Sequence, residues 1–289
     1  MIIDQDGQKW FKGNLHTHTT NSDGRRTPEQ VIDLYAGQGY DFLALTDHWR
    51  YAAMREAAGM LLLSGCEFDT GTEPRDGIFH IVGIGMTGQP DLPATPRPPA
   101  QTIIEAIRAQ DGLAILAHPA WSLNTPEQVR HLRGLTGTEI YNTVSGLPHS
   151  ARPYSGQIID QLACLGQLYP CFAADDSHFY DGEETKSFIM VRSESCTRDA
   201  LLAAIRCGDF YATQGPRFSL TVKEDRLEVT CTPADRIVFY SNVVYTNYCS
   251  VNGHDLTSAE YPFSGPERFI RVEITDSQGR TAWSSPVSR

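Results

Sequence analysis

Two histidines, His16 and His18, lie two residues apart in the stretch Gly13-Asn14-Leu15-His16-Thr17-His18-Thr19-Thr20-Asn21-Ser22-Asp23-Gly24. In an extended strand, residues i and i+2 project from the same face, so both imidazoles can reach one ion. Asp23 follows in a polar turn closed by Gly24, where its side chain can fold back toward the strand end. Farther on stand Asp47-His48, Glu67, His80, His118-Pro119 and Asp176-Ser177-His178, and six of the nine histidines belong to this ordered set. Imidazole and carboxylate together suit Zn, Mn or Fe(II), and a carboxylate can bridge two ions. Nine candidate ligands (His16, His18, Asp23, His48, Glu67, His80, His118, Asp176 and His178) are too many for one tetrahedral ion, which implies two or three. Paired ions about 3.5–4 Å apart produce hydroxide near neutral pH and stabilise the oxyanion of an ester under attack.

The elements that must position these groups are legible from local pattern. Thr27-Pro28 reads as an N-cap followed by a first-turn proline, and Val31, Leu34, Tyr35 and Gln38 form one stripe of a helix that stops at Gly39. Tyr40–Leu45 is a buried strand delivering Asp47 and His48. Trp49–Ala58 reads as helix, and Met60–Gly65 as a strand ending on Cys66-Glu67. Gly77–Gly85 is a strand with His80 inside it, and residues 87–100 hold five prolines and form a loop that could border the site. A helix over 102–110 leads to a strand over 112–117 ending on His118, then a helix from Thr125 to about Arg133 and a strand over 137–142. Helix 155–165, strand 169–174 ending on Asp175-Asp176, strand 187–192 and helix 197–207, stopped by Gly208, complete this part. Continuous apolar strands alternating with helices mark an α/β fold with a largely parallel, doubly covered sheet. All these ligand positions except His80, which lies within its strand, fall at or just past the C-terminal ends of different strands, and those ends converge on one face of a barrel. A (β/α) barrel of seven units is therefore expected over residues 1–215.

From Gly215-Pro216 helical periodicity stops. Short alternating segments at 217–222, 226–231, 236–241 and 269–275, with turns at Val251-Asn252-Gly253 and Ser277-Gln278-Gly279, predict a small all-β module over residues 216–289.

The 289 residues, 40% hydrophobic, suffice for one large domain and a small one. A net charge of −11 argues against general nucleic-acid binding and means that an anionic substrate needs positive charge from bound ions. No apolar run approaches a membrane span, and Met1-Ile2-Ile3-Asp4 lacks the parts of a signal peptide. Seven cysteines without a Cys-x-x-Cys pair read as reduced, mostly buried thiols of a cytoplasmic protein.

The ordered ligand set resembles the PHP (polymerase and histidinol phosphatase) family of metal-dependent hydrolases over roughly residues 10–215. The resemblance implies a distorted seven-stranded β/α barrel with a bi- or trinuclear site. It implies one ion held by His16, His18, Glu67 and Asp176, a second by Asp23, His48 and His178, and a third by His80 and His118 with Glu67 bridging. The position of Asp23 is often His in trinuclear members. The phrases Gly-Tyr-Asp-Phe-Leu-Ala-Leu-Thr-Asp-His and Gly-Arg-Thr-Ala-Trp-Ser-Ser-Pro are also similar to a branch that includes carbaryl-hydrolase-like enzymes.

The expected activity is a phosphoesterase cleaving a small, anionic phosphomonoester with a metal-bridging hydroxide, with Glu67, Asp176 and His178 at the reacting centre. The rivals are hydrolysis of a carbamate or carboxylic (aryl) ester by the same site, and a silent metal-stabilised scaffold. Arg217 and Arg25 are the candidate substrate cations, Arg217 foremost. Glu139 ends its strand as the ligands do and could support the site or form a buried ion pair. Asp47 could orient a ligand or cap a turn. Asp175 reads as structural, and His131, His149 and His254 as non-ligands. No nucleic-acid or membrane partner is expected, and the oligomeric state is open.

Overall fold

The computed structural model describes every residue except Gln5 and Arg289. The elements run β1 (Ile2–Ile3), β2 (Lys9–Asn14), α1 (Pro28–Gly37), β3 (Phe42–Ala44), β4 (Arg55–Ala57), β5 (Met60–Leu63), β6 (Gly65–Thr70), β7 (Phe79–Ile84), α2 (Ala100–Ala109), β8 (Leu113–Leu116), α3 (Pro126–Val129) and β9 (Gly137–Asn142). They continue with α4 (Gly156–Cys164), β10 (Cys171–Ala174), β11 (Phe188–Arg192), α5 (Arg198–Cys207) and β12 (Phe210–Thr213). Only strands follow: β13 (Phe218–Val222), β14 (Arg226–Ser241), β15 (Ser250–Pro262), β16 (Phe269–Thr275), β17 (Thr281–Trp283) and β18 (Val287–Ser288).

Local signals account for three of the helix ends. Thr27 and Gln30 form a reciprocal capping box with Pro28 in the first turn, and Thr125 and Gln128 repeat it. Gly208 takes the left-handed conformation, φ 78°, and ends α5.

The fold is mixed α/β with two large sheets. One has five strands in the order β10-β9-β8-β7-β6; the other follows β13-β14-β16-β17-β12-β11-β2-β3-β5-β4, with β1, β15 and β18 attached at its side. The main core lies between them: Phe11, Phe42 and Val191 from one sheet meet Val82, Ile115 and Phe172 from the other. Helix α5 adds Leu201, Leu202 and Ile205 to that core, while α1 and α2 cover outer faces.

The strand ladders do not close into the expected barrel. Among the described residues the two sheets are joined at the ligand end by single bridges, Thr17 to Ser177 and His48 to Glu67. The bridging segments carry or flank the candidate ligands, and their backbones turn there instead of continuing in register. Antiparallel pairing of β7 with both β6 and β8 also departs from a parallel barrel.

Four further expectations are corrected. Residues 49–58 are not helical: β4 and β5 form a tight hairpin, with Ala58 and Gly59 both at positive φ, 50° and 76°. Glu67 lies inside β6 and does not terminate the preceding strand, because β5 stops at Leu63 and pairing changes sheets at Ser64. Helix α3 is only four residues long. In the C-terminal part, β14 is one bulged 16-residue strand, and Asn252 and Gly253 sit within β15 and not in a turn.

The C-terminal strands are continuous with the rest by hydrogen bonding, since β17 pairs with β12. They pack a cluster of their own around Leu227, Ile237, Phe239 and Val272. All seven cysteines are free, but only Cys66 and Cys171 are buried, so the expectation of mostly buried thiols does not hold. Among the described residues no helix is long and apolar enough to cross a membrane.

Candidate metal centre

The candidate ligands meet at one mouth of the space between the sheets. His16 and His18 follow β2, His48 follows β3, Glu67 lies in β6, His80 in β7, His118 follows β8, and Asp176 and His178 follow β10. Two of these residues are held in the left-handed backbone region, His118 at φ 27° and Asp176 at φ 54°. Such conformations cost on the order of 1–3 kcal/mol each and persist where the surroundings dictate them.

Three sets of donor atoms converge: His16, His18, Glu67 and Asp176; His18, Asp23, His48 and His178; and His48, Glu67 and His80. The first set is buried throughout. His16 Nε2 lies 3.2 Å from Glu67 Oε2 and 3.1 Å from Asp176 Oδ1, and His18 Nε2 lies 3.0 Å from both oxygens. His118 Nε2 is 3.4 Å from Glu67 Oε1, and His80 Nδ1 is 2.8 Å from it. Asp23, 54% exposed, stands at the rim, 3.4 Å from His178 Nε2 and 3.7 Å from His48 Nε2.

Whether these residues suit a cation can be tested on the donors themselves. His16 Nε2, His18 Nε2, His48 Nδ1 and Asp176 Oδ1 are buried and have no hydrogen-bond partner. An orphaned buried polar atom costs about 1–3 kcal/mol, so four at one point call for an acceptor of lone pairs. Electrostatics agree. Burial works against charge on His16, yet Asp176, Glu67 and Glu139 outweigh it and hold its pKa well above the ordinary range. Burial likewise disfavours ionised Glu67, but His16, His48 and His80 carry its carboxyl well below the usual value. For His178, burial is outweighed by Asp176 and Asp23, and its pKa is pushed up to about 9. A field that draws protons onto imidazoles in this way equally favours a divalent cation. The set fits metal ions.

The supporting shell is equally specific. His16 Nδ1 is 2.7 Å from Glu139 Oε1; donating there leaves Nε2 bare for an ion. The second oxygen of Glu139 accepts from the His118 backbone N–H at 2.9 Å and from Asn142 Nδ2 at 2.8 Å. Asp47 accepts from the N–H and hydroxyl of Thr19 and from Ser22 Oγ, which fixes the turn leading to Asp23. Gly24 closes that turn against the backbone of His18, where an added Cβ would lie 2.5 Å from the carbonyl. Asp175 points away from the centre and gathers Asn14, Tyr35 and the backbone of Thr185, Lys186 and Ser187.

The centre opens into a cavity of about 280 Å³ whose walls include Asp23, His48, Glu67, His80, His118, Asp176 and His178, with Trp121, Val144, Ser145, His149, Ser150 and Phe179. Arg25 is not among these walls but packs on one of them, its guanidinium 4.7 Å from the Phe179 ring. Arg217, the foremost candidate cation, is elsewhere: it lines a separate cavity of about 520 Å³ with Trp10, Tyr211 and Phe218, sharing no lining residue with the first. The chain turns away after β12, and the Arg217 backbone pairs with Thr232. The proline-rich loop reaches the periphery through Arg97, which pairs with Asp69, itself 3.5 Å from His48 Nδ1. Sequence reasoning passed over Asn142, Asp69 and Trp121. Asn142 ends a strand as the ligands do, which was a usable signal; nothing local marks Trp121. His131 and His254 are exposed and outside the centre.

No family model matches the chain. A Haemophilus influenzae protein named 5'-3' exoribonuclease is 40% identical over 81 residues, 26% of this chain and 29% of that protein. A Chromobacterium violaceum 3',5'-nucleoside bisphosphate phosphatase is 39% identical over 77 residues, 25% of this chain and 27% of that protein. The chain thus covers less than a third of the length of either relative, and both names describe hydrolysis of phosphate esters. Among solved structures, a two-domain Bacteroides vulgatus protein described as containing a predicted PHP-like metal-dependent phosphoesterase superposes with a TM-score of 0.57 at 15% identity, covering 99% of this chain and 98% of that one. Over nearly its whole length, this chain has the fold of that two-domain protein.

Proposed function

We propose that the protein is a PHP-type metal-dependent phosphoesterase. The observation that carries the reading is the convergence of four orphaned buried donors of His16, His18, His48 and Asp176 beside the Glu67 carboxylate. Two or three divalent ions, Zn, Mn or Fe, would be held by His16, His18, Glu67 and Asp176, by Asp23, His48 and His178, and by His80 and His118 with Glu67 shared. Bound there, such ions supply a nucleophile at neutral pH and neutralise charge on attacking and leaving oxygens.

The chain's own residues do the rest. Glu139 and Asn142 hold His16, His118 and Asp176 in place, and the Asp47-anchored turn presents Asp23 at the rim. Burial of Glu67 and Asp176 keeps bulk water from the inner donors. Arg25, whose guanidinium lies over the ring of the cavity-lining Phe179, is the candidate cation for a phosphate. Trp121, half-exposed at the cavity, gives it a flat wall that suits a planar substituent on the ester.

The substrate is a small phosphate ester, and a phosphomonoester is the preferred case. The expectation of no nucleic-acid substrate is withdrawn, given relatives named as an exoribonuclease and a nucleotide phosphatase. A charge of −11 disfavours a long phosphate backbone, but a single terminal nucleotide needs only the cations of the centre. Residues 1–215 would form the hydrolase unit and 216–289 a supporting β module. The carbamate-hydrolase reading draws no support from these relatives.

The test is elemental analysis of protein purified without chelator, with turnover of p-nitrophenyl phosphate, bis-p-nitrophenyl phosphate and p-nitrophenyl acetate on the same sample. Two or three ions with phosphate-ester hydrolysis support the reading. Ions with acetate hydrolysis alone would transfer the site to carboxylic or carbamate esters. Metal-loaded protein inactive on all three would point to a silent scaffold.

A further inference from the structure

Outside the ligand sets, one further titratable side chain lines the same cavity, with a carboxylate paired to it. His149, in the loop between β9 and α4, lines it together with His178 and Phe179. Its Nε2 lies 2.9 Å from Asp181 Oδ1, in the loop after β10. Its ring stacks on Phe179 with centroids 3.9 Å apart and planes 11° apart. The imidazole is therefore fixed by a carboxylate at one nitrogen and by an aromatic face, and among the described residues its Nδ1 makes no hydrogen bond. His149 is absent from every donor set of the candidate metal centre; with Asp181 and Glu183 it forms a separate group. That group is already satisfied as a loop clasp, since Glu183 Oε1 accepts from the backbone N–H groups of His178, Phe179 and Tyr180. What remains open is the Nδ1 edge of His149.

A carboxylate–imidazole pair at the wall of a hydrolytic cavity, outside the metal ligands, has the composition of a proton donor. We infer that His149 protonates the leaving oxygen of the ester and that Asp181 is its positioning residue. The inference rests on the phosphoesterase reading. In the step, a water oxygen forms a bond to phosphorus and the bond from phosphorus to the leaving oxygen breaks. The electron pair of that bond stays on the leaving oxygen, which takes the proton from Nδ1 of the imidazolium. The proton given up by the water returns the imidazole to its charged form, so the enzyme is unchanged and the products are an alcohol and phosphate. The ligand histidines are poorly suited to the task, because their free nitrogens point at the centre and are needed there.

The test compares two esters that differ in leaving group, p-nitrophenyl phosphate and phenyl phosphate, on the metal-loaded full chain. The phenolate is the poorer leaving group and depends more on protonation. His149→Gln is expected to lower kcat on phenyl phosphate by about 10²-fold or more, with a clearly smaller loss on p-nitrophenyl phosphate. Asp181→Asn should show the same asymmetry at smaller size. Added imidazole should restore phenyl phosphate turnover to His149→Ala. Inhibition by inorganic phosphate should be the same in wild type and His149→Gln. Equal losses on both esters, or weakened phosphate inhibition, would make His149 an anchor or a structural residue and overturn the inference while leaving the phosphoesterase reading intact. Wild-type protein inactive on both esters would remove that reading and the inference with it.

Discussion

Two buried charged clusters in this molecule are built to opposite ends. At the seam between helix α4 and the C-terminal strands, the fully buried Arg271 makes a two-pronged pair with Asp160, Nε and Nη2 each 2.9 Å from a carboxylate oxygen, and also reaches Glu273 and Tyr154. Burial opposes its charge, but Asp160 and Glu273 outweigh that and hold its pKa well above the ordinary range. Its donors are satisfied within the protein. At the candidate metal centre, where histidines take the place of the arginine among the carboxylates, four donor atoms are left without hydrogen bonds. A closed cluster serves cohesion. An open one is stable only with a further charge supplied, which is why the difference in satisfaction, not the density of charge, marks the functional site.

Four substitutions bear on this contrast. The largest effect is expected from Glu67→Ala, which removes the carboxylate shared by several donor sets. Bound metal should fall and phosphate-ester turnover should drop by about 10³-fold or more. Elemental analysis showing a full complement of ions in this variant would show that Glu67 does not bridge. Arg271→Ala should leave metal content per folded chain unchanged but strand Asp160 and Glu273, lowering stability by about 3 kcal/mol; urea denaturation measures it. If metal were lost instead, the two clusters would not be independent.

Gly24→Ala inserts a Cβ 2.5 Å from the His18 carbonyl carbon and pushes away the turn bearing Asp23. Metal affinity at the rim should weaken by roughly 10–100-fold, the range for disturbed supporting groups, while the inner donors stay in place. Competition with a chromogenic chelator reads the change, and an unaltered isotherm would remove Asp23 from the ligand set. Arg217→Ala should change turnover of p-nitrophenyl phosphate by less than about 2-fold, the ordinary reach of a substitution away from any special feature. A large rise in KM would show that the second cavity communicates with the first.

The candidate ligands and the ends of several elements were legible without tertiary information because they are local. A His-x-His at a strand end shares one face by the two-residue period, and a Thr-Pro-x-Gln cap starts a helix wherever it occurs. Misreadings arose where local preference competed with pairing. Residues 49–58 contain good helix formers, but Ala58 and Gly59 at positive φ turn them into a hairpin that pairs with β5. Asn252 and Gly253 suit a turn, yet the long β14 provides a partner along β15.

Other features belong to the tertiary structure alone. The chain order of the ligands says nothing of Glu139 meeting His16 across 123 residues, or of Asp160 meeting Arg271 across 111. Nor could it reveal that the sheets meet at the ligand end through single bridges, or that Arg217, four residues past β12, turns to another cavity. The physical reason is one of range. Side-chain chemistry, capping and strand period act within a few residues, so the sequence alone determined which candidate donors exist and most of the elements that carry them, though not the strand of Glu67. Sheet closure, second partners and the walls of a cavity depend on which distant surfaces pack together, and only the folded chain decides that.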